Sequence, residues 1–169
     1  ANLSMLYTEK PFLQRFEAAA KDGFRAVEYL FPYEWPAEEI AQCLYENGLQ
    51  QVLFNLPPGD WSAGERGLAC LPARQAEFQQ GVDLAIDYAR ILKVTQLNCL
   101  AGIQAVDQDY SSQWSTLVTN VKYAAQKLAG HQMTLLVEAI NSRIDMPGFF
   151  IDTLDKAEKL IAEVDEANV

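Results

Sequence analysis

Met133-Thr-Leu-Leu-Val-Glu-Ala-Ile-Asn141 is an apolar run carrying one carboxylate, Glu138, near its end. Leu136 and Ile140 flank Glu138 on one alternating face, and Leu135, Val137 and Ala139 form the other. A strand apolar on both faces is the pattern of a parallel sheet covered on both sides. An ionised carboxylate inside such a run costs several kcal/mol of desolvation unless it is paired, hydrogen-bonded or metal-bound. At the carboxyl end of a parallel strand, a Glu stands where α/β proteins place their chemistry. Pairing with Arg143 or capping of a loop is the structural alternative, and the run alone leaves both open.

Outward from this strand, helix and strand patterns alternate along the whole chain. Strands are expected over 2–6, 25–31, 51–56, 95–100 and 133–141. Helices are expected over 10–21, 36–47, 73–92 and 112–129, with another from about 151 into the C-terminus. Phe12, Leu13, Phe16 and Ala20 recur at helical spacing in the first helix, and Phe78, Val82, Ala85, Ile86 and Ala89 do so in the third. Pro36 suits a first helical turn, Glu38 and Glu39 suit the positive end of the helix dipole, and Gly23, Gly48 and Gly130 close helices.

The loops are unequal. Helix-to-strand connections are tight, whereas strand-to-helix connections span 32–35, 57–72, 101–111 and 141–150. Long loops at the carboxyl ends of strands mark the functional face of both a (β/α)8 barrel and a doubly wound sheet. No Gly-x-Gly-x-x-Gly follows the first strand and no Gly-Lys-Ser/Thr occurs, which disfavours nucleotide binding and favours the TIM barrel. Five βα units are expected in one domain over residues 1–169, whereas a complete barrel needs about 250 residues. Barrel strands without their neighbours leave open edges, a recipe for aggregation or for a homo-oligomer such as a dimer.

With half of its residues apolar, the chain can build a substantial core. A net charge of −10 argues against nucleic acid and anionic membranes as partners. There is no long apolar run and no basic-then-apolar leader, so a soluble, cytoplasmic protein is expected. Cys43, Cys70 and Cys99 are odd in number, far apart and in no metal-ligand spacing, as reduced thiols would be.

Four segments in register resemble the hydroxypyruvate isomerase family of the xylose isomerase-like barrels. They are Ala1-Asn-Leu-Ser-Met-Leu6; Gly23-Phe-Arg-Ala-Val-Glu-Tyr-Leu-Phe-Pro32; Asn55-Leu-Pro-Pro-Gly-Asp-Trp61 with Ala63-Gly-Glu-Arg-Gly67; and Val137-Glu-Ala-Ile-Asn141 followed by Pro147-Gly-Phe149. The resemblance implies a metal-assisted isomerase that interconverts hydroxypyruvate and tartronate semialdehyde, or related oxo acids. It implies that Glu138 is both a metal ligand and the acid/base. It places the remaining ligands on later strands, so that the chain corresponds to the amino-terminal two thirds of the enzyme. Some relatives carry His before the Asn55 motif, where this chain has Phe54, and some carry Glu-Pro-Ile-Asn-His where it has Glu138-Ala-Ile-Asn-Ser142. The only histidine, His131, is expected at the opposite end of the strand from Glu138.

Moving a carbonyl along a hydroxy acid requires taking a proton from one carbon and returning one to its neighbour. A carboxylate can serve as the base, and a divalent ion can stabilise the enediolate oxygens. Oxygen ligands suit Mg2+ or Mn2+, and there is no Cys/His cluster for zinc. The expected partner is therefore a small hydroxy or oxo acid, with Asn55, Trp61 and Arg66 as candidate binding residues. Asn55 precedes Pro-Pro and is equally a turn former. Arg66 can fork onto a substrate carboxylate or pair with Asp60 or Glu65. The Gly-punctuated 57–72 loop fits an active-site cover. Glu28 can support the site or pair with a cation at the barrel bottom, and the aromatics of Phe31-Pro-Tyr-Glu-Trp35 can wall a pocket or simply pack. An epimerase of keto-sugars and an inert, self-associating barrel fragment are the alternative functions.

Overall fold

Apolar positions at three- and four-residue spacing build the helices, and the short apolar stretches between them pair into one parallel sheet. The computed structural model describes residues 1–169. Its elements are α1 (Arg15–Lys21), β1 (Ala26–Glu28), α2 (Ala37–Glu46), β2 (Gln50–Asn55), α3 (Gln75–Leu92), β3 (Gln96–Cys99), α4 (Tyr110–Ala129), β4 (Thr134–Val137) and α5 (Leu154–Val164). The sheet order is β1-β2-β3-β4 and every neighbouring pair is parallel, the arrangement of a partial TIM barrel. No helix is long and apolar enough to cross a membrane.

Helices cover one face of the sheet. α3 turns Phe78, Val82, Ala85, Ile86, Ala89 and Leu92 inward, and α4 does the same with Leu117, Val121, Ala124, Ala125 and Leu128. Each fully buried leucine such as Leu117, Leu128 or Leu135 contributes about 1.5–3 kcal/mol. The side chain of Asp109 caps α4 by accepting the Ser112 N–H at 2.8 Å. Glu38 and Glu39 occupy the first turn of α2.

Two expectations need correction. The strand expected over 2–6 shrinks to one parallel bridge, Asn2 to Glu28, so the sheet has four strands rather than five. The Ser4 N–H turns back to Asn2 Oδ1 (3.0 Å), and the Met5 and Leu6 N–H groups turn back to Asn2 O. A polar side chain that satisfies nearby backbone in this way ends a ladder early. Second, β1 is only three residues long, because Val27 pairs with Gln51 and Glu28 with Leu53, leaving Val52 as a bulge. The outer edges of β1 and β4 are partly covered by the chain itself: Leu3 N–H donates to Glu28 O, and Leu135 N–H to Asn168 O, both at 2.8 Å.

The loop after β3 is held from below by α4. Fully buried Gln113 accepts the Ala105 N–H at 2.8 Å, and its Nε2 donates to Ala105 O and Gln108 O at 3.0 and 3.2 Å. Replacing Gln113 by Leu keeps the volume but removes these bonds. A loss of about 2 kcal/mol is expected in denaturant unfolding, with faster hydrogen exchange at Ala105. Unchanged stability and exchange would show that the bonds are dispensable.

Candidate active site

Polar side chains stand at the carboxyl ends of successive strands. The parallel register sets Asn55 of β2 beside Asn98 of β3, and Asn98 beside Leu136 of β4. Glu138 follows β4 by one residue. Asn98 Nδ2 donates to both Asn55 Oδ1 at 3.1 Å and Glu138 Oε2 at 3.3 Å, linking the three strand ends into one row.

The burial expected for Glu138 is not found, because β4 stops at Val137 and Glu138 is exposed. Leu135 is fully buried beneath the helices, whereas Leu136, Val137, Glu138 and Ile140 line a cavity. The strand end is therefore not sealed on both faces, and the carboxylate keeps contact with solvent. Arg143 does not pair with it; the Arg143 backbone N–H donates to Asn141 Oδ1 at 2.8 Å. His131 lies exposed in the turn between α4 and β4, far along the strand from Glu138.

The cavity measures about 620 Å³, and ten of its 15 lining residues are apolar. Its polar lining is Asn2, Glu28, Asn55, Asn98 and Glu138, with no Lys, Arg or His. Glu28 faces the cavity and accepts from Asn2 Nδ2 at 3.2 Å, with no cation paired to it. Two carboxylates without a cation make this wall selective against bare anionic groups. Burial pushes the thiols of Cys70 and Cys99 up to about 12, so neither is a thiolate nucleophile at neutral pH.

The 57–72 loop folds over this end of the sheet. Trp61 lines the cavity, its ring 5.0 Å from that of Phe31. The Arg66 guanidinium stacks 4.0 Å over the Trp61 ring, and its Nη1 donates to Trp61 O and Glu65 O. Arg66 is thus held against Trp61, outside the cavity lining itself, and pairs with neither the Asp60 nor the Glu65 carboxylate. Glu65 instead pairs with Arg74 at 2.6 Å and accepts the Asp60 N–H, and the Arg74 hydrogen bond holds its carboxyl below the usual range. Arg74 also pairs with Glu77. Tyr33 OH donates to Asn55 O at 2.7 Å, bracing the end of β2, while Trp35 stacks on Phe12.

Asn98 joins this row although it is not among the residues expected from the sequence. Its signal is present all the same: it is the one amide in Leu97-Asn-Cys-Leu100, at the strand end that Asn55 and Glu138 also occupy. A metal centre of the Mg2+ or Mn2+ type takes about six oxygen ligands. No group of three or more His, Cys, Asp or Glu residues is close enough to hold a metal. Glu138 with the neighbouring amides falls short, so the residues of this chain alone do not fit such a centre.

A family model described as xylose isomerase-like TIM barrel matches residues 16–169. A 2-oxo-tetronate isomerase of Cupriavidus necator is 47% identical over 169 residues, covering 100% of this chain and 65% of the relative. A hydroxypyruvate isomerase of Escherichia coli is 47% identical with the same coverage. The crystal structure of an AP endonuclease, family 2, from Brucella melitensis superposes with a TM-score of 0.95 at 46% identity, covering 99% of this chain and 64% of that one. The chain therefore spans 65% of the length of the curated relatives it matches.

Proposed function

The chain belongs to the xylose isomerase-like TIM barrel family, and on that premise we propose that the protein isomerises small 2-oxo hydroxy acids, with Glu138 as the proton carrier. The observation that carries this reading is the Glu138 carboxylate. It projects into the cavity at the carboxyl end of β4, tied at one oxygen to Asn98 and free at the other. The names of the similar proteins, a hydroxypyruvate isomerase and a 2-oxo-tetronate isomerase, support the same substrate class.

With hydroxypyruvate, Glu138 takes a proton from the hydroxymethyl carbon. The C–H electron pair moves into the carbon skeleton and gives an enediolate. Returning a proton to the former carbonyl carbon, while the terminal hydroxyl passes its own to the former carbonyl oxygen, yields tartronate semialdehyde, so atoms and charge balance. Asn55, between Tyr33 and Asn98, is assigned to hydrogen-bond a substrate oxygen. Trp61 is assigned to cover the substrate and keep water from the enediolate. Arg66, stacked on Trp61, is assigned to meet the substrate carboxylate, which the acidic and apolar lining cannot neutralise. A Mg2+ or Mn2+ ion bound near Glu138 would supply charge stabilisation, but its oxygen ligands must come largely from outside these residues.

The test uses the full-length protein with Mg2+ or Mn2+ in deuterated water, offered hydroxypyruvate and a 2-oxo-tetronate separately and followed by NMR. Migration of the carbonyl with deuterium at the adjacent carbon is the expected result. No conversion of either acid would overturn the proposal. Exchange and inversion in a keto-sugar without carbonyl migration would identify an epimerase instead.

A further inference from the structure

We propose that Asn98 is a positioning residue that aims Glu138, an inference that rests on Glu138 being the proton carrier. Glu138 lies beyond the last paired residue of β4, is exposed, and enters no ion pair. The only hydrogen bond its carboxylate accepts comes from Asn98 Nδ2. Left alone, such a side chain samples several rotamers, and only some of them point an oxygen at a bound substrate.

Asn98 itself has little freedom. It is 5% exposed and sits within the paired register of β3. The two hydrogens of its planar amide diverge at a fixed angle. One is committed to Asn55 Oδ1 at 3.1 Å, and this sets the direction of the other toward Glu138 Oε2 at 3.3 Å. Oε2 is thereby occupied and Oε1 is the oxygen left to take a proton. The reverse amide orientation would set Asn98 Oδ1 against two acceptor oxygens, so the donor assignment follows from the neighbours.

The arrangement leaves a mark. Asn98 Oδ1 is buried and has no hydrogen-bond partner. An orphaned buried acceptor is unfavourable, and a leucine of similar size would fill the same space without it. A residue chosen for packing alone has no reason to be an amide here. A residue chosen to hold Glu138 must be one, and the orphaned oxygen follows from turning both donors toward the strand ends.

The test is a double-mutant cycle in the full-length protein, comparing Asn98→Leu, Glu138→Gln and the double variant by kcat, KM and thermal melting. Asn98→Leu should lower kcat by about 10–100-fold, the scale of a misplaced catalytic group, with KM changed less than about threefold. Added to Glu138→Gln, it should lower kcat no further, since its effect runs through Glu138. A full additional loss in the double variant, or wild-type kcat in a folded Asn98→Leu protein, overturns the positioning role. If Glu138→Gln itself retains turnover, the proton-carrier reading fails first, and the positioning role fails with it. Should Asn98→Leu melt early, Asn98→Ser, which is smaller and cannot span to Glu138, is read in the same cycle.

Discussion

Glu138→Gln in the full-length protein should reduce kcat for isomerisation about a thousandfold, the scale of losing one general acid/base. The substitution is nearly isosteric, and the amide oxygen of the replacement side chain can still accept the Asn98 donor, so the site's geometry is preserved. What disappears is the basic oxygen. Because Glu138 is exposed and makes no ion pair, its replacement should leave thermal stability within about 0.5 kcal/mol of wild type. Substrate-dependent uptake of deuterium should fall in parallel with turnover, because both require the same proton abstraction. A folded variant that still exchanges at the wild-type rate would remove Glu138 from the chemistry and return the search for a base to Glu28, the other carboxylate lining the cavity.

Gly67→Ala should produce a large loss of stability from a single added methyl. Gly67 has φ +117°, a conformation that residues with a Cβ rarely adopt, and an added Cβ would lie 2.2 Å from Leu100 O and 2.6 Å from its carbonyl carbon. Both obstacles are backbone, so no side chain can swing aside. Gly102 repeats the contact from the other side, where a Cβ would meet Gly67 O at 2.7 Å. The two loops at the carboxyl ends of β2 and β3 therefore meet main chain to main chain. Strain at the left-handed residue costs about 1–3 kcal/mol, and displacing the loop adds to it, so a total of about 3 kcal/mol is expected in denaturant unfolding. Because Trp61 and Arg66 ride on the same loop, KM should rise as well. A loss below about 0.5 kcal/mol would mean that the loop relaxes freely and is not pinned at Gly67.

Much of this fold was legible in local pattern. The long helices α3 and α4 show it best, since Phe78, Val82, Ala85, Ile86 and Ala89 recur at the spacing that makes an apolar stripe, and all five are buried. The alternation of helix and strand, with long loops after the strands, placed Asn55, Trp61 and Glu138 at the same end of the sheet, and all three line one cavity. Where local pattern failed, a longer-range contact had intervened. Residues 2–6 are apolar enough for a strand, but Asn2 turns the backbone back on itself after a single bridge. The run containing Glu138 is apolar on both faces, yet only Leu135 is fully buried, while Leu136, Val137 and Ile140 line the cavity.

Apart from the strand expected over 2–6, the chain order of helices, strands and loops follows from the sequence by itself, as does the gathering of Asn55 and Glu138 at the strand ends, because hydrophobic period and turn residues act over a few positions. Partner choice among the polar groups does not. Arg66 stacks on Trp61 while Glu65, its neighbour in sequence, reaches Arg74. Asn98 meets Asn55 and Glu138 across 43 and 40 residues of chain. Those contacts exist only once the parallel register has set three strands side by side. A one-residue shift in that register would turn each side chain to the opposite face, so the tertiary structure alone decided which amide holds the carboxylate.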